Sequence, residues 1–306
     1  MSAIVAPPVG TNTQPAHPTK DTYKGRIHPD WCPGCGDFSV LAALQTALFE
    51  LGLQPHQVCI VSGIGCSSNL PGFINTYGMH TLHGRGLPVG AGLKLANHLL
   101  KVICVGGDGD GYGIGGNHFL HMMRRNIDLT YIVMDNQIYG LTTGQVSPTS
   151  TKGMKTKSTP QGSVENPINP IPLAMVGGAT YVARAFSGKQ KHMVEMLKGA
   201  IRHNGFALVD VFSPCLTYNK DNTYQFFNAR VKILEEQGHD PSDFHKAIDR
   251  ANEWGTEIPI GLFWRRTDLP TLEEQEPVLQ TGEGPLACRK LGIPPEQAKA
   301  LIQELL

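Results

Sequence analysis

Residues 101–145 read KVICVGGDGDGYGIGGNHFLHMMRRNIDLTYIVMDNQIYGLTTGQ, and this stretch decides the fold. VICVGG and YIVMDN are short apolar runs without polar alternation, the pattern of strands buried on both faces. A helical stretch near residues 116–125 separates them, so the segment is a strand, a glycine-rich turn, a helix and a second strand. The alternation extends in both directions. Asp37 can cap a helix that carries Val40, Leu41, Leu44, Ala47, Leu48 and Leu51 at helical spacing until Gly52 stops it. Strands are expected at 58–61, 102–105, 131–134, 181–185 and 207–212, with further helices near 89–100, 171–176 and 190–203. Together these predict an α/β fold, a parallel sheet flanked by helices. After Asn219 the texture changes to charged helical segments (224–237 and 241–254) and a tail PPEQAKALIQELL, which predicts a helical C-terminal extension. The expected organisation is an N-terminal arm (1–22), a site-bearing domain (23–219) and the extension (220–306).

The glycine-rich turn matches G-x-G-x-x-G at Gly111, Gly113 and Gly116, and Asp135 ends the next strand, so a dinucleotide site is one reading. Asp108 and Asp110 argue against it, because carboxylates beside a pyrophosphate repel it unless a divalent cation stands between them. A Walker-type phosphate loop is excluded, since no Lys-Ser/Thr follows the glycines. Asn136 lies 28 residues after Asp108, at the end of the following strand. The two place hard oxygen ligands at the carboxyl edge of neighbouring strands, and the Ile138 carbonyl can add a third. Mg²⁺ favours this set, with diphosphate oxygens and water completing an octahedron. GDGDG followed by MDNQIYG resembles the thiamin diphosphate motif, with Asp135–Asn136 where many members carry Asn–Asn. The resemblance implies a thiamin diphosphate-binding fold in which Asp108, Asn136 and Ile138 hold Mg²⁺. It also implies that Gly65, Gly109, Asp110, Gly140 and Leu141 lie around the cofactor.

Cys32 and Cys35 in WCPGCG bring two thiols into one Pro/Gly turn. The pair alone reads as a redox dithiol, half of a zinc site or half of an iron–sulfur site. Cys66 in SGIGCSSN and Cys215 in SPCLTYN follow strands in turn-like positions, which completes a four-cysteine set and weakens the dithiol reading. Cys59 and Cys104 lie inside apolar strands, where a free Cys behaves as a small hydrophobe. Ligand type does not separate zinc from iron–sulfur.

WCPGCG, SGIGCSS, HGRGLPVGAG, GDGDGYGIGGNHF, DNQIYGLTTGQ and SPCLTYN, in this order, closely resemble the β subunit of 2-oxoacid:ferredoxin oxidoreductases, over residues 24–219. The resemblance implies that Cys32, Cys35, Cys66 and Cys215 ligate one [4Fe–4S] cluster. It also implies an enzyme subunit for the reversible, coenzyme A-dependent oxidative decarboxylation of a 2-oxoacid, with electrons passing one at a time through the cluster to ferredoxin. The expected partner is an α (or fused αγ) subunit in an α₂β₂ assembly, which supplies the carboxylate that activates the cofactor. His83 and Arg85 in HGR are candidate catalytic residues, by hydrogen bonding a substrate carboxylate or shuttling a proton. Leu141 stands where pyruvate-specific relatives tend to carry a polar residue, which leans the substrate toward 2-oxoglutarate, with succinyl-coenzyme A as product.

Composition agrees. The chain has 306 residues with 26 Lys+Arg against 26 Asp+Glu, which gives no electrostatic footprint for nucleic acid or an anionic membrane. Charged residues are 17%, against about 25% in typical domains, consistent with surface covered by another chain. No apolar run is long enough to span a membrane. Seven cysteines, an odd number, and an N-terminus without a charged start and apolar core fit a reducing, cytoplasmic compartment. The 12 histidines show no metal-ligand spacing such as HExxH.

Overall fold

The computed structural model describes residues 18–290 and 292–305; residues 1–17 of the expected arm lie outside them. In chain order the elements are α1 (Asp37–Glu50), β1 (Val58–Ser62), β2 (Tyr77–His80), α2 (Gly86–Ala96), β3 (Lys101–Gly107), α3 (Gly116–Arg125), β4 (Leu129–Asp135), α4 (Pro170–Val176), β5 (Tyr181–Phe186), α5 (Gln190–Arg202), β6 (Phe206–Phe212), α6 (Tyr224–Asn228), β7 (Val231–Ile233), α7 (Phe244–Ala251), β8 (Ile258–Arg265), α8 (Leu272–Gln275) and α9 (Pro295–Glu304). The strands form one eight-stranded sheet in the order β2-β1-β3-β4-β6-β5-β8-β7. All pairings are parallel except β5 with β8.

Successive residues of a strand face opposite layers. Ile103 and Val105 of β3 therefore join a core with Val40, Leu44 and Leu48 of α1 and Met193, Leu197 and Ile201 of α5. Val102 and Cys104 join the other core, with Leu87 of α2, Phe119 and Met122 of α3, and Ile171 of α4. Both faces of the central strands are thus covered by helices, as uninterrupted apolar runs require. The connections leave β1, β3, β4 and β6 ending on one edge of the sheet, where open α/β folds bind ligands.

Three expectations are revised. Asp37 is not a helix cap: Gly36 takes that position and makes no side-chain cap bond. The Asp37 carboxylate instead accepts from the Ser213 hydroxyl at 2.6 Å and is fully buried. Residues 20–23, assigned to the arm and its junction, form a short 3₁₀ turn that ends on buried Tyr23, whose hydroxyl donates to the Leu53 carbonyl and lies 3.2 Å from Leu48 O. The region after Asn219 contributes not only helices but also β7 and β8, which extend the sheet beyond β5. Among the described residues no helix is long and apolar enough to cross a membrane.

Candidate functional site

The loops after β1, β3 and β4 enclose a crevice of about 70 Å³. It is lined by Gly65 and Cys66 from the first, Asp108, Gly109 and Asp110 from the second, and Asn136, Ile138, Gly140 and Leu141 from the third, together with His83. All the expected cofactor-binding residues therefore meet in one place. After β3 the chain makes a π-helical turn over Gly109–Ile114, closed by the Gly115 N–H donating to Asp110 O at 2.9 Å. Such single turns are rare and concentrate at functional sites. After β4, Gln137 adopts φ 57°, uncommon for a residue with a side chain. The reversal leaves Gln137 out of the crevice lining while its neighbours Asn136 and Ile138 both line it.

Asp108 is buried. Its Oδ2 accepts from the Thr149 hydroxyl at 2.7 Å, and the same hydroxyl oxygen lies 2.8 Å from Asp135 Oδ1. Burial pushes the Asp108 carboxyl above its ordinary range, while hydrogen bonds from Ser147, Thr149 and the Asp108 and Gly109 amides pull it down. Asp135 is pushed well up by burial and by the charges of Asp108 and Asp210. Asp110 is held by the amides of Ile64 (2.9 Å) and Gly84 (2.7 Å), so this carboxylate joins the loops after β1 and β2. It packs so tightly that a Cβ on Gly63 would stand 2.0 Å from Asp110 Oδ2. His83 Nδ1 lies 3.0 Å from Asp110 Oδ1 but off the line of a hydrogen bond. Arg85 does not line the crevice. It turns to α3, where its guanidinium contacts His118.

A second cavity, about 220 Å³, adjoins the first and is lined by all four loop cysteines, Cys32, Cys35, Cys66 and Cys215. The two cavities share Cys66, Asn136, Gly140 and Leu141 as a common wall. Gly140 stands at the centre of that wall: a Cβ there would lie 3.7 Å from Cys66 Sγ and 3.8 Å from Cys215 Sγ. Burial, Asp37 and the neighbouring thiols push the Cys66 thiol up to about 11, and burial and Asp37 raise Cys35 further. Asp37 itself is pushed up to about 6 by burial. The other cysteines stand apart from this cavity; Cys59 and Cys104 are buried in the sheet, as expected of strand positions, and Cys288 is exposed. A larger cavity, about 590 Å³ between Lys152, Arg230 and Trp254, shares no residue with either and holds none of the groups discussed.

Several site residues were not apparent from the sequence. Ser147, Thr149 and Ser150 carry buried hydroxyls that bond the Asp108, Asp135 and Gln137 loops. They lie in an irregular segment, SPTS, that has no periodicity to mark it. Tyr112 donates to Asp210 Oδ1 at 2.8 Å, and Asp210 lies 3.6 Å from buried Arg184, so a charge network runs under the crevice. Only the pairing of strands β3, β4, β6 and β5 brings these residues together.

Residues 63–211 match a profile described as thiamine pyrophosphate enzyme, C-terminal TPP binding domain, and residues 215–281 match one for the C-terminal part of the pyruvate ferredoxin oxidoreductase beta chain. The 2-oxoacid:ferredoxin oxidoreductase 1 subunit beta of Aeropyrum pernix is 48% identical over 264 residues, covering 83% of each chain. This chain belongs to the 2-oxoacid:ferredoxin oxidoreductase β-subunit family. It is a subunit of an enzyme complex, and a β subunit of this family pairs with an α subunit. Among other members, the 2-oxoglutarate synthase subunit KorB of Methanocaldococcus jannaschii is 43% identical, over 81% of this chain and 92% of its own. A structure of 2-oxoglutarate:ferredoxin oxidoreductase from Magnetococcus marinus with 2-oxoglutarate, coenzyme A and succinyl-CoA bound superposes with a TM-score of 0.86. It is 42% identical and covers 94% of this chain and 96% of its own.

Proposed function

We propose that this chain holds thiamin diphosphate with Mg²⁺ and one [4Fe–4S] cluster in a 2-oxoglutarate:ferredoxin oxidoreductase. The complex would convert 2-oxoglutarate and coenzyme A to succinyl-coenzyme A and CO₂, pass electrons to ferredoxin, and be able to run toward carboxylation. The observation that carries this reading is the shared wall: an oxygen-lined crevice and a four-thiol cavity lie back to back across Gly140.

The residues fit the implied groups. Asp108, the Asn136 side chain and the Ile138 carbonyl are hard oxygen donors in one crevice, suited to Mg²⁺. Buried thiols that resist ionisation become thiolates when iron binds, because a coordinating cation inverts the local charge balance. Zinc suits the set less well, because a single ion draws its ligands tightly together. The four cysteines line a cavity of about 220 Å³, more room than one ion fills. A cluster spreads its four thiolates over four irons.

When bound, the cofactor supplies the electron sink for loss of CO₂, and the chain contributes orientation and electrostatics. His83, at the crevice and beside Asp110, is placed to hold a proton near a substrate carboxylate. Arg85 is turned away from the crevice, so substrate contact by this residue would require it to leave His118. The crevice is far smaller than the roughly 300–1,000 Å³ of a complete cofactor pocket, which supports a site completed by the α partner, in the α₂β₂ assembly proposed for the complex.

Substrate choice leans on the relatives named for 2-oxoglutarate and on Leu141, half-exposed at the crevice. Pyruvate is the second reading, favoured by the description of the profile matched over residues 215–281. The test compares kcat/KM of the assembled complex for both acids, since discrimination is a difference in transition-state binding. A preference of about tenfold or more for pyruvate overturns the 2-oxoglutarate assignment. Iron and sulfide analysis of the anaerobically purified complex tests the cluster separately: about four of each per β chain are expected, and zinc without sulfide overturns it.

A further inference from the structure

The cysteine-bearing loops are tied together by few contacts. The loop of Cys32 and Cys35 meets that of Cys215 through the Gly36 N–H donating to Pro214 O at 3.2 Å, through Leu216 packing against Gly34, and through the Ser213 hydroxyl donating to Asp37 at 2.6 Å. Two side chains join it to the loop of Cys66: Ser67 hydrogen-bonds Asp37, and the Trp31 indole Nε1–H donates to Cys66 O at 2.7 Å. That indole lines the thiol cavity and is only 8% exposed. It packs edge-on against Phe38 and Phe73, with ring centroids 5.3 and 4.9 Å away, so its direction is fixed. We propose that Trp31 is a positioning residue for the metal group: its N–H sets the Cys66 loop against the Cys32–Cys35 loop, so that sulfurs from both face one cluster.

The proposal rests on the cluster reading and concerns a residue that ligates nothing. Trp31→Phe keeps a ring in the packed slot and removes only the N–H. Two reference variants separate local from general effects. Tyr181→Phe also deletes a buried side-chain donor to a backbone carbonyl (Met196 O, 3.1 Å), remote from the cysteines. Phe73→Leu loosens the packing around the indole but leaves its N–H.

The experiment uses the anaerobically purified α/β complex. It follows iron release to a chelator, the electron paramagnetic resonance spectrum of the reduced cluster, and its midpoint potential. Trp31→Phe is expected to release iron roughly tenfold faster, as loss of one good hydrogen bond implies, with a changed spectrum and a shifted potential. Tyr181→Phe is expected to stay near wild type on all three, and Phe73→Leu, which loosens the slot but keeps the N–H, to move clearly less than Trp31→Phe. The proposal is overturned if Trp31→Phe matches wild type, or if either reference variant moves as far. It is also overturned if Trp31→Phe alone fails to assemble, since a general folding role would then account for the residue. A wild-type complex without iron and sulfide instead removes the cluster reading itself.

Discussion

Replacing Thr149 by Val tests the oxygen side of the site most directly. The Thr149 hydroxyl oxygen lies 2.7 Å from Asp108 Oδ2 and 2.8 Å from Asp135 Oδ1. A hydroxyl carries one hydrogen. If that hydrogen goes to Asp108, the second contact takes its hydrogen from Asp135, which must then be neutral. Burial and the charges of Asp108 and Asp210 favour that state by pushing Asp135 well up. The Thr149 bond thus favours the ionised form of Asp108 against the burial that opposes it. Valine keeps the shape and deletes the bond to a charged acceptor, worth about 1.5–3 kcal/mol. If this is the loss in the metal-bound state, Mg²⁺ affinity should fall roughly 10- to 150-fold. The pH dependence should change in one direction. Asp108 binds a cation only when ionised, burial raises its pKa, and the Thr149 bond lowers it. Without the hydroxyl the pKa rises further, so protons compete better and Mg²⁺ affinity is lost at a higher pH on acidification. The assay is calorimetric titration of Mg²⁺ into the chelator-treated complex with thiamin diphosphate present, over a range of pH. Affinity within twofold of wild type, with an unmoved pH profile, would refute the role of Thr149 and weaken Asp108 as a ligand.

Asp108→Ala or Asn136→Ala is expected to abolish retention of thiamin diphosphate while leaving iron content unchanged, measured by cofactor and iron analysis of one sample, because neither side chain is one of the four thiols, although Asn136 borders both cavities. Gly109→Ala should also lower cofactor affinity, measured by titration of thiamin diphosphate: its Cβ would fall 2.1 Å from Tyr139 Cε1, and Tyr139 cannot retreat without losing its bond to Gly109 O. Cys104→Ala should lower thermal stability modestly, by about 1 kcal/mol for a small buried cavity, with iron unchanged; iron loss would mean that the wrong four cysteines have been assigned.

Much of the architecture could be read from residue type because the central strands are buried on both faces. VICVGG and YIVMDN became β3 and β4 within a residue or two of the expected bounds, and α3 matched at both ends. β2 escaped because Tyr77–His80 is exposed throughout, so no burial shaped its sequence. β8 was hidden by Pro259 and Gly261, residues that ordinarily argue against a strand interior. At the site, donors whose chemistry is specific announced themselves: carboxylate, amide and thiol at strand ends. What stayed hidden were the ties between them, Thr149 to Asp108, Tyr112 to Asp210 and Trp31 to Cys66. Each joins segments 35 or more residues apart, and only the folded sheet makes them neighbours.

The spread of the four cysteines also bears on how a cell makes this protein. Two lie before β1, one follows it, and the last waits at the end of β6. Cys215 therefore leaves the ribosome after nearly every strand that must bring it alongside the other three. If the four thiols hold the cluster proposed above, a carrier delivering iron and sulfide would meet all of them together only after the central sheet has closed, which makes loading a late step of maturation.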